Sequence, residues 1–213
     1  MRRYGLLTAV LYDVFSGERP FYRAARRAAV DSLRLSYGDR VLVLGCGTGL
    51  DLPLLQQAVG PSGAIVAVDR SSMMLRAAGR RARTRLSGAR RFDWPEVRLV
   101  QADLVRARTV LPPDEPPVDA VLAVNTLSLI PDWRTAWRAG VAAARPGARV
   151  AVADIGEPTA SNPAMTLWSK VISFIGGGVL SAHPWTAVDQ EADDVETRAW
   201  WAGHVQLRSG SLR

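Results

Sequence analysis

The sequence has one cysteine, two histidines and a single lysine among its 213 residues. With Cys46 alone, no internal disulfide can form, which suits a reducing cytoplasm. Cys46, His183 and His204 give no zinc-ligand spacing. No apolar run reaches the ~18 residues that a membrane-crossing helix requires. The opening Met1 to Leu7 has two arginines and a short apolar patch, without a sustained apolar stretch or a small-residue cleavage site, so no signal peptide is expected. There is no G-x-S-x-G nucleophile elbow, no Gly-Lys-Ser/Thr after a glycine loop and no internal repeat. Apart from Lys170, all 27 basic residues are arginine, a bias that reflects coding composition more than function. The net charge of +7 nevertheless favours anionic partners. The densest cluster is Arg76, Arg80, Arg81, Arg83, Arg85, Arg90 and Arg91. It reads first as a solvated helix face, with contact to anionic lipid or nucleic acid as the alternative.

What is present is a strand, a glycine turn and a helix. Val41-Leu42-Val43-Leu44 is a short apolar run, and Gly45-Cys46-Gly47-Thr48-Gly49 follows at once. Leu50, Leu54, Leu55 and Ala58 then recur near a 3.6-residue period. This order brings bare backbone against a ligand in α/β folds. A dinucleotide fingerprint would place its third glycine at position 50, which is leucine; here the spacing is G-x-G-x-G. Val66-Ala67-Val68-Asp69 reads as a second strand ending in an acid, where nucleoside-binding folds place a carboxylate on ribose hydroxyls. Further strands are expected at Val97 to Leu104, Val118 to Asn125 and within Arg145 to Asp154. Helices are expected near 50–59, 71–86 and 132–144, with an earlier one from Pro20 to about Arg34. Pro112 to Pro117 is a stiff connector. Strands alternating with helices call for a mostly parallel sheet covered on both faces.

The last third is less regular. Asn162-Pro163 opens a helix, and Val171 to Leu180 is apolar around Gly176-Gly177-Gly178. That stretch covers a pocket, packs as core or touches a membrane surface; its composition leaves all three open. Val195 to Trp201 and His204 to Arg208 are expected to form a closing antiparallel pair that turns at Ala202-Gly203.

G-x-G-x-G after a first strand resembles motif I of the class I S-adenosylmethionine-dependent methyltransferases. Asp69-Arg70-Ser71-Ser72-Met73-Met74-Leu75 is similar to that family's D-x-S-x-x-M-L, and Arg145-Pro146-Gly147 with its strand to its post-helix segment. Five elements match in order over roughly residues 38 to 156. The resemblance implies a Rossmann-like seven-stranded, mostly parallel sheet with an antiparallel C-terminal pair. The expected division is one domain over 1–213: an N-terminal lid and helix segment (1–37), a cofactor core (38–156), and a cap with hairpin (157–213). The implied cofactor is S-adenosylmethionine. Gly45, Gly47 and Gly49 would take its amino-acid end, Asp69 the ribose, and Met74, Asp103 and Leu104 the adenine. Asn125 and Thr126 would lie under the sulfonium end. The family usually carries an acid where this chain has Val43, and Asp51 is expected to replace that charge, with an ordinary first-turn acid as the rival reading. For an acceptor that must lose a proton, His183 and Tyr12 are the candidate catalytic groups, Tyr12-Asp13 being similar to a lid motif. His204, Tyr22 and Asp154 are weaker candidates, His204 reading as structural.

The expected activity is methyl transfer to a small-molecule or lipid-like acceptor at O, N or C. Asn125-Thr126-Leu127-Ser128 lacks the Asn/Asp-Pro-Pro-aromatic of amino-methylating nucleic-acid enzymes, which argues against nucleic acid. Transfer of the aminocarboxypropyl arm, or a catalytically degenerate protein that binds cofactor or a partner, are further alternatives. Peripheral membrane contact and the oligomeric state stay open.

Overall fold

The computed structural model describes residues 22–83, 94–107, 110–111, 115–158 and 163–213. Seven strands form one sheet in the order β3-β2-β1-β4-β5-β7-β6. They are β1 (Arg40–Leu44), β2 (Ala64–Asp69), β3 (Glu96–Gln101), β4 (Val118–Val124), β5 (Ala144–Ile155), β6 (Ala192–Trp200) and β7 (Val205–Leu212). The first five run parallel, and β7 pairs antiparallel with both β5 and β6. The chain runs outward from β1 to β3, then returns to the other side of β1 for β4. That reversal opens a crevice at the carboxyl ends of β1 and β4, where open α/β sheets take their ligands.

Alternation along the central strands sorts the helices. Leu42, Leu44, Val121, Ala123, Val150 and Val152 share a core with Trp133, Trp137 and Val188. These come from α4 (Trp133–Val141) and α6 (Thr186–Glu191). Val41, Val43, Ala120, Leu122, Ala151 and Ala153 face the other way. There they meet Ala29 and Leu33 around α1 (Arg23–Ser32), Leu52 and Leu55 of α2 (Leu52–Val59), and Leu75 and Ala78 of α3 (Ser72–Arg83). Both faces being covered, β1 is apolar throughout its buried length, as a central parallel strand requires. The Trp137 indole N–H donates to Glu191 at 2.8 Å, tying α4 to α6.

Several boundaries differ from the sequence expectation; β6 starts at Ala192 rather than Val195, and β3 ends at Gln101 rather than Leu104. α4 stops at Val141 rather than near 144, because Ala144 already pairs with Val118 as β5 begins. β7 runs past Arg208 to Leu212: Ser209, Gly210 and Ser211 are weak strand formers, but β5 supplies partners for all three. α5 (Pro163–Gly176) extends into the glycine run, and Gly177, at φ +79°, ends it by donating to the Ser173 carbonyl at 2.7 Å. The short α6 and two 3-10 turns, Leu127–Leu129 and Leu180–Ala182, had no expected counterpart.

Candidate functional site

The crevice is built around Gly45 to Gly49, and each of the three glycines has its own reason. Gly45 has φ +61°, and a Cβ there would lie 2.8 Å from Thr126 Oγ1 and still nearer Thr126 Cγ2. Gly49, at φ +79°, would drive a Cβ to 2.9 Å from the Ala78 Cα, so its bareness lets α3 pack against the turn. Gly47 is different: a Cβ there would meet nothing within 4 Å. Gly47 has φ +52°, which favours glycine, and its backbone is bare next to open space, so a ligand can approach it there.

Three groups hold the turn in place. Asp69, at the end of β2, accepts from Gly47 N at 2.9 Å with one carboxylate oxygen and from Ser71 N at 2.8 Å with the other. A carboxylate has about four lone-pair sites, so each oxygen keeps capacity for a hydroxyl donor. Burial pushes Asp69 above the usual carboxylate range, and the two backbone N–H groups and Arg70 pull it back. Arg81 reaches from α3 to donate to the Thr48 carbonyl at 2.7 Å and to its hydroxyl at 2.9 Å. Thr126 Oγ1 lies 2.8 Å from the Gly45 carbonyl and 3.1 Å from that of Val124. Burial raises the Cys46 thiol pKa, with Asp69 and Asp51 adding to it, so Cys46 is an inert part of the wall.

Beside Gly45, β4 ends in a second built feature. Asn125 adopts φ +49°, a left-handed conformation that asparagine tolerates. Its N–H donates to the Ala153 carbonyl at 2.8 Å, while its Oδ1 is buried with no hydrogen-bond partner. Asp154, wholly buried at the end of β5, clasps the following turn. It accepts from Thr126 N at 3.3 Å, Ser128 N at 3.0 Å, Ser128 Oγ at 2.6 Å and its neighbour Ile155 N at 2.8 Å. Burial raises its pKa against these donors. Asp154 is therefore engaged as a fastener on the β4–β5 edge, a role that its type and position alone did not disclose.

The remaining expected residues fall as follows. Met74 lies half-buried in the first turn of α3, its N–H 3.4 Å from Ser71 Oγ. Asp103 stands just past β3, next to Asp69 through the Ala102 N–H to Asp69 carbonyl bond, and caps a turn by accepting from Val105 N at 3.0 Å. The Leu104 side chain is core. Val43 is 1% exposed in the core, and Asp51 is 3% exposed just before α2. Asp51 meets Arg26 of α1 at 2.5 Å in a buried ion pair, a contact that no spacing rule foretold. His183 is exposed at φ +46°, its ring 5.2 Å from that of Trp185, which packs over Gly156 just past β5. Tyr12 lies outside the described residues. His204 is buried between the Gly156 carbonyl (Nδ1, 3.0 Å) and the Tyr22 hydroxyl (Nε2, 3.2 Å), with Trp168 edge-on at 5.2 Å. Nδ1 donates to that carbonyl, and burial, which lowers the imidazole pKa, favours the neutral ring with Nε2 accepting from Tyr22. His204 and Tyr22 thus join α1 to the end of β5.

Past the clasp lies an open groove of about 430 Å³, lined by Glu157, Lys170, Ser173, Gly177, Gly178, Leu180 and Ser181. It abuts the β4 turn, because Val179 N donates to the Ser128 carbonyl at 2.9 Å. Among the described residues no group of histidine, cysteine and acids is placed to hold a metal ion.

A methyltransferase-domain model matches residues 42–150. The chain is 34% identical over 152 residues to a 2-phytyl-1,4-naphtoquinone methyltransferase of Synechococcus elongatus, covering 70% of this chain and 61% of that protein. The match thus spans less than two thirds of that relative's length. The structure of a SAM dependent methyltransferase from Aquifex aeolicus superposes with a TM-score of 0.62 at 15% identity, over 99% of this chain and all of the other. A phosphoethanolamine N-methyltransferase 2 of Haemonchus contortus, in complex with phosphomonomethylethanolamine and S-adenosylhomocysteine, gives 0.69 at 14% identity over 99% of this chain and 58% of that one. The open cradle at Gly47 and the orphaned Asn125 Oδ1 both suit a nucleoside with an amino-acid arm. The chain belongs to the methyltransferase-domain family of class I S-adenosylmethionine-dependent enzymes, and S-adenosylmethionine is its cofactor.

Proposed function

We propose that this protein methylates a small, lipid-like acceptor that approaches over the carboxyl ends of β4 and β5. The observation that carries this reading is the glycine turn at the end of β1, with Asp69 bonded to Gly47 N at 2.9 Å and the unpartnered Asn125 Oδ1 at the end of β4. Bound there, the sulfonium cofactor supplies an electrophilic methyl group, so little chemistry is left for the protein. Gly45, Gly47 and Gly49 approach the amino-acid arm, and Asn125 Oδ1 accepts from its ammonium. Thr126 positions the Gly45 carbonyl rather than touching the ligand. Asp51, held by Arg26, fixes the first turn of α2 beneath the arm. Asp69 accepts from the ribose diol while keeping its two backbone bonds. Met74 and the Asp103–Leu104 backbone flank the adenine. Holding two reactants in line and excluding water supplies most of the rate.

The named relative's substrate, a phytyl naphthoquinone, supports an apolar acceptor, and the groove beside Ser128 is open enough to admit one. His183 and Tyr12 are the groups we assign to accept the acceptor's proton. Calorimetry with S-adenosylhomocysteine tests the cofactor reading. We expect micromolar binding by the parent and a loss of about tenfold to a hundredfold in Asp69→Ala, the worth of one or two hydrogen bonds to a charged group. No binding at millimolar ligand, or unchanged affinity in Asp69→Ala, would overturn it.

A further inference from the structure

Seven large apolar side chains are exposed among the described residues, and four of them stand on α5, on the loop that follows it and on the β4 turn bonded to that loop. Leu167 (66% exposed) and Val171 (46%) stand one helical turn apart on α5. Val179 (49%) and Leu129 (39%) are brought beside each other by the bond from Val179 N to the Ser128 carbonyl. Ser173 Oγ donates to the Gly178 carbonyl and so ties the end of α5 to this same loop. Leu167 and Val171 share α5 with the groove-lining Lys170 and Ser173, and Val179 stands between the groove-lining Gly178 and Leu180, so the apolar side chains lie on the segments that form the groove. Exposed apolar side chains grouped on one such set of segments mark an interaction site.

The charge on the patch indicates the partner. Lys170, the one lysine of the chain, lies between Leu167 and Val171 in sequence and lines the groove. It is exposed and forms no ion pair among the described residues. A long aliphatic stem with a terminal cation is suited to an interface that is apolar below and anionic above. Glu157 is the one acid lining the groove. The whole chain carries +7, which draws it toward negative surfaces.

We propose that Leu129, Leu167, Val171 and Val179 seat the protein on an anionic lipid bilayer, with Lys170 at the headgroups and the groove opening toward the lipid. An apolar acceptor then passes from the bilayer to the cofactor crevice without crossing water, a consequence that rests on the acceptor class proposed above. No helix of the described residues is long and apolar enough to cross a membrane, so the contact is peripheral.

Co-sedimentation with vesicles of phosphatidylglycerol and phosphatidylcholine, against vesicles of phosphatidylcholine alone, tests this. The parent is expected to pellet with the anionic vesicles and to release as salt rises. The double variant Leu167→Ser, Val171→Ser should bind about tenfold more weakly or worse, from the apolar area removed. Lys170→Gln should bind about fivefold more weakly, from one lost headgroup attraction. Absence of parental binding would overturn the proposal, as would equal binding by the double variant. So would a change in sedimentation-velocity mass in the double variant without vesicle binding, since the patch would then join two copies of the chain. Calorimetry with S-adenosylhomocysteine on each variant keeps the readings apart. Loss of that binding in the parent would sink the cofactor assignment while leaving the vesicle result standing.

Discussion

Gly45→Ala should damage the crevice through Thr126, and a double-mutant cycle can isolate that cause. At φ +61° an alanine takes a left-handed conformation costing about 1–2 kcal/mol. Its Cβ would lie 2.8 Å from Thr126 Oγ1 and closer still to Cγ2. Thr126 is β-branched and 8% exposed, so it cannot swing aside without leaving the wall. Displacing it also breaks the 2.8 Å bond to the Gly45 carbonyl, worth about 1 kcal/mol net. Together these give roughly 3–5 kcal/mol, of which about half is steric conflict with one side chain. Thr126→Ala alone should cost about 1–2 kcal/mol, from the lost hydrogen bond and a small void. In that background the Cβ of residue 126 still stands 3.0 Å from the new methyl, so Gly45→Ala should cost its backbone strain and a smaller residual clash, about 2 kcal/mol. Urea unfolding followed by tryptophan fluorescence reads each corner of the cycle. A coupling of about 1 kcal/mol or more is expected, with the double variant more stable than the sum of the singles implies. Costs that add to within about 0.5 kcal/mol would refute the reasoning.

Two other outcomes follow from buried polar groups. Arg26→Met removes one half of a pair whose side chains are 9% and 4% exposed, leaving Asp51 charged beneath the glycine turn. A loss of about 3 kcal/mol in unfolding free energy is expected, and a loss below about 1 kcal/mol would show that other groups carry Asp51. His204 governs a pH dependence. Burial holds its imidazole below the ordinary 6.5, so the unfolded chain takes up the proton more readily than the folded one. That contribution is complete above about pH 6.5 and is lost as pH falls below it. Between pH 7.5 and 5.5 the Tm of the parent should therefore fall more than that of His204→Gln; parallel slopes would contradict the neutral, buried ring.

Much of the fold was legible because its signals are local. β1, β2 and β4 are apolar runs ending at or just before Gly45, Asp69 and Asn125, as strands buried on both faces require. The candidate ligand end of the sheet was legible for the same reason, since Gly45, Asp69 and Asn125 each close or follow an apolar strand. What stayed hidden depends on residues far apart in the chain. Arg81 sat in an arginine cluster that reads as solvated, yet it grips Thr48, 33 positions away. Arg26 meets Asp51 only because α1 and α2 lie on the same face of the sheet. Asp154 looked like a spare base and is a fastener, since three of its four donors come from the turn across from it. The length of β7 was misjudged because β5, not its own small residues, sets how far it runs.

The glycine turn is gripped from three directions, by Asp69 at Gly47, by Arg81 at Thr48 and by Thr126 at Gly45. A loop so braced has little conformational freedom left to surrender when a nucleoside arrives. We infer that the stretch of receptor surface made by this turn exists beforehand as a mould, so that its share of the selectivity among nucleosides comes from shape already present.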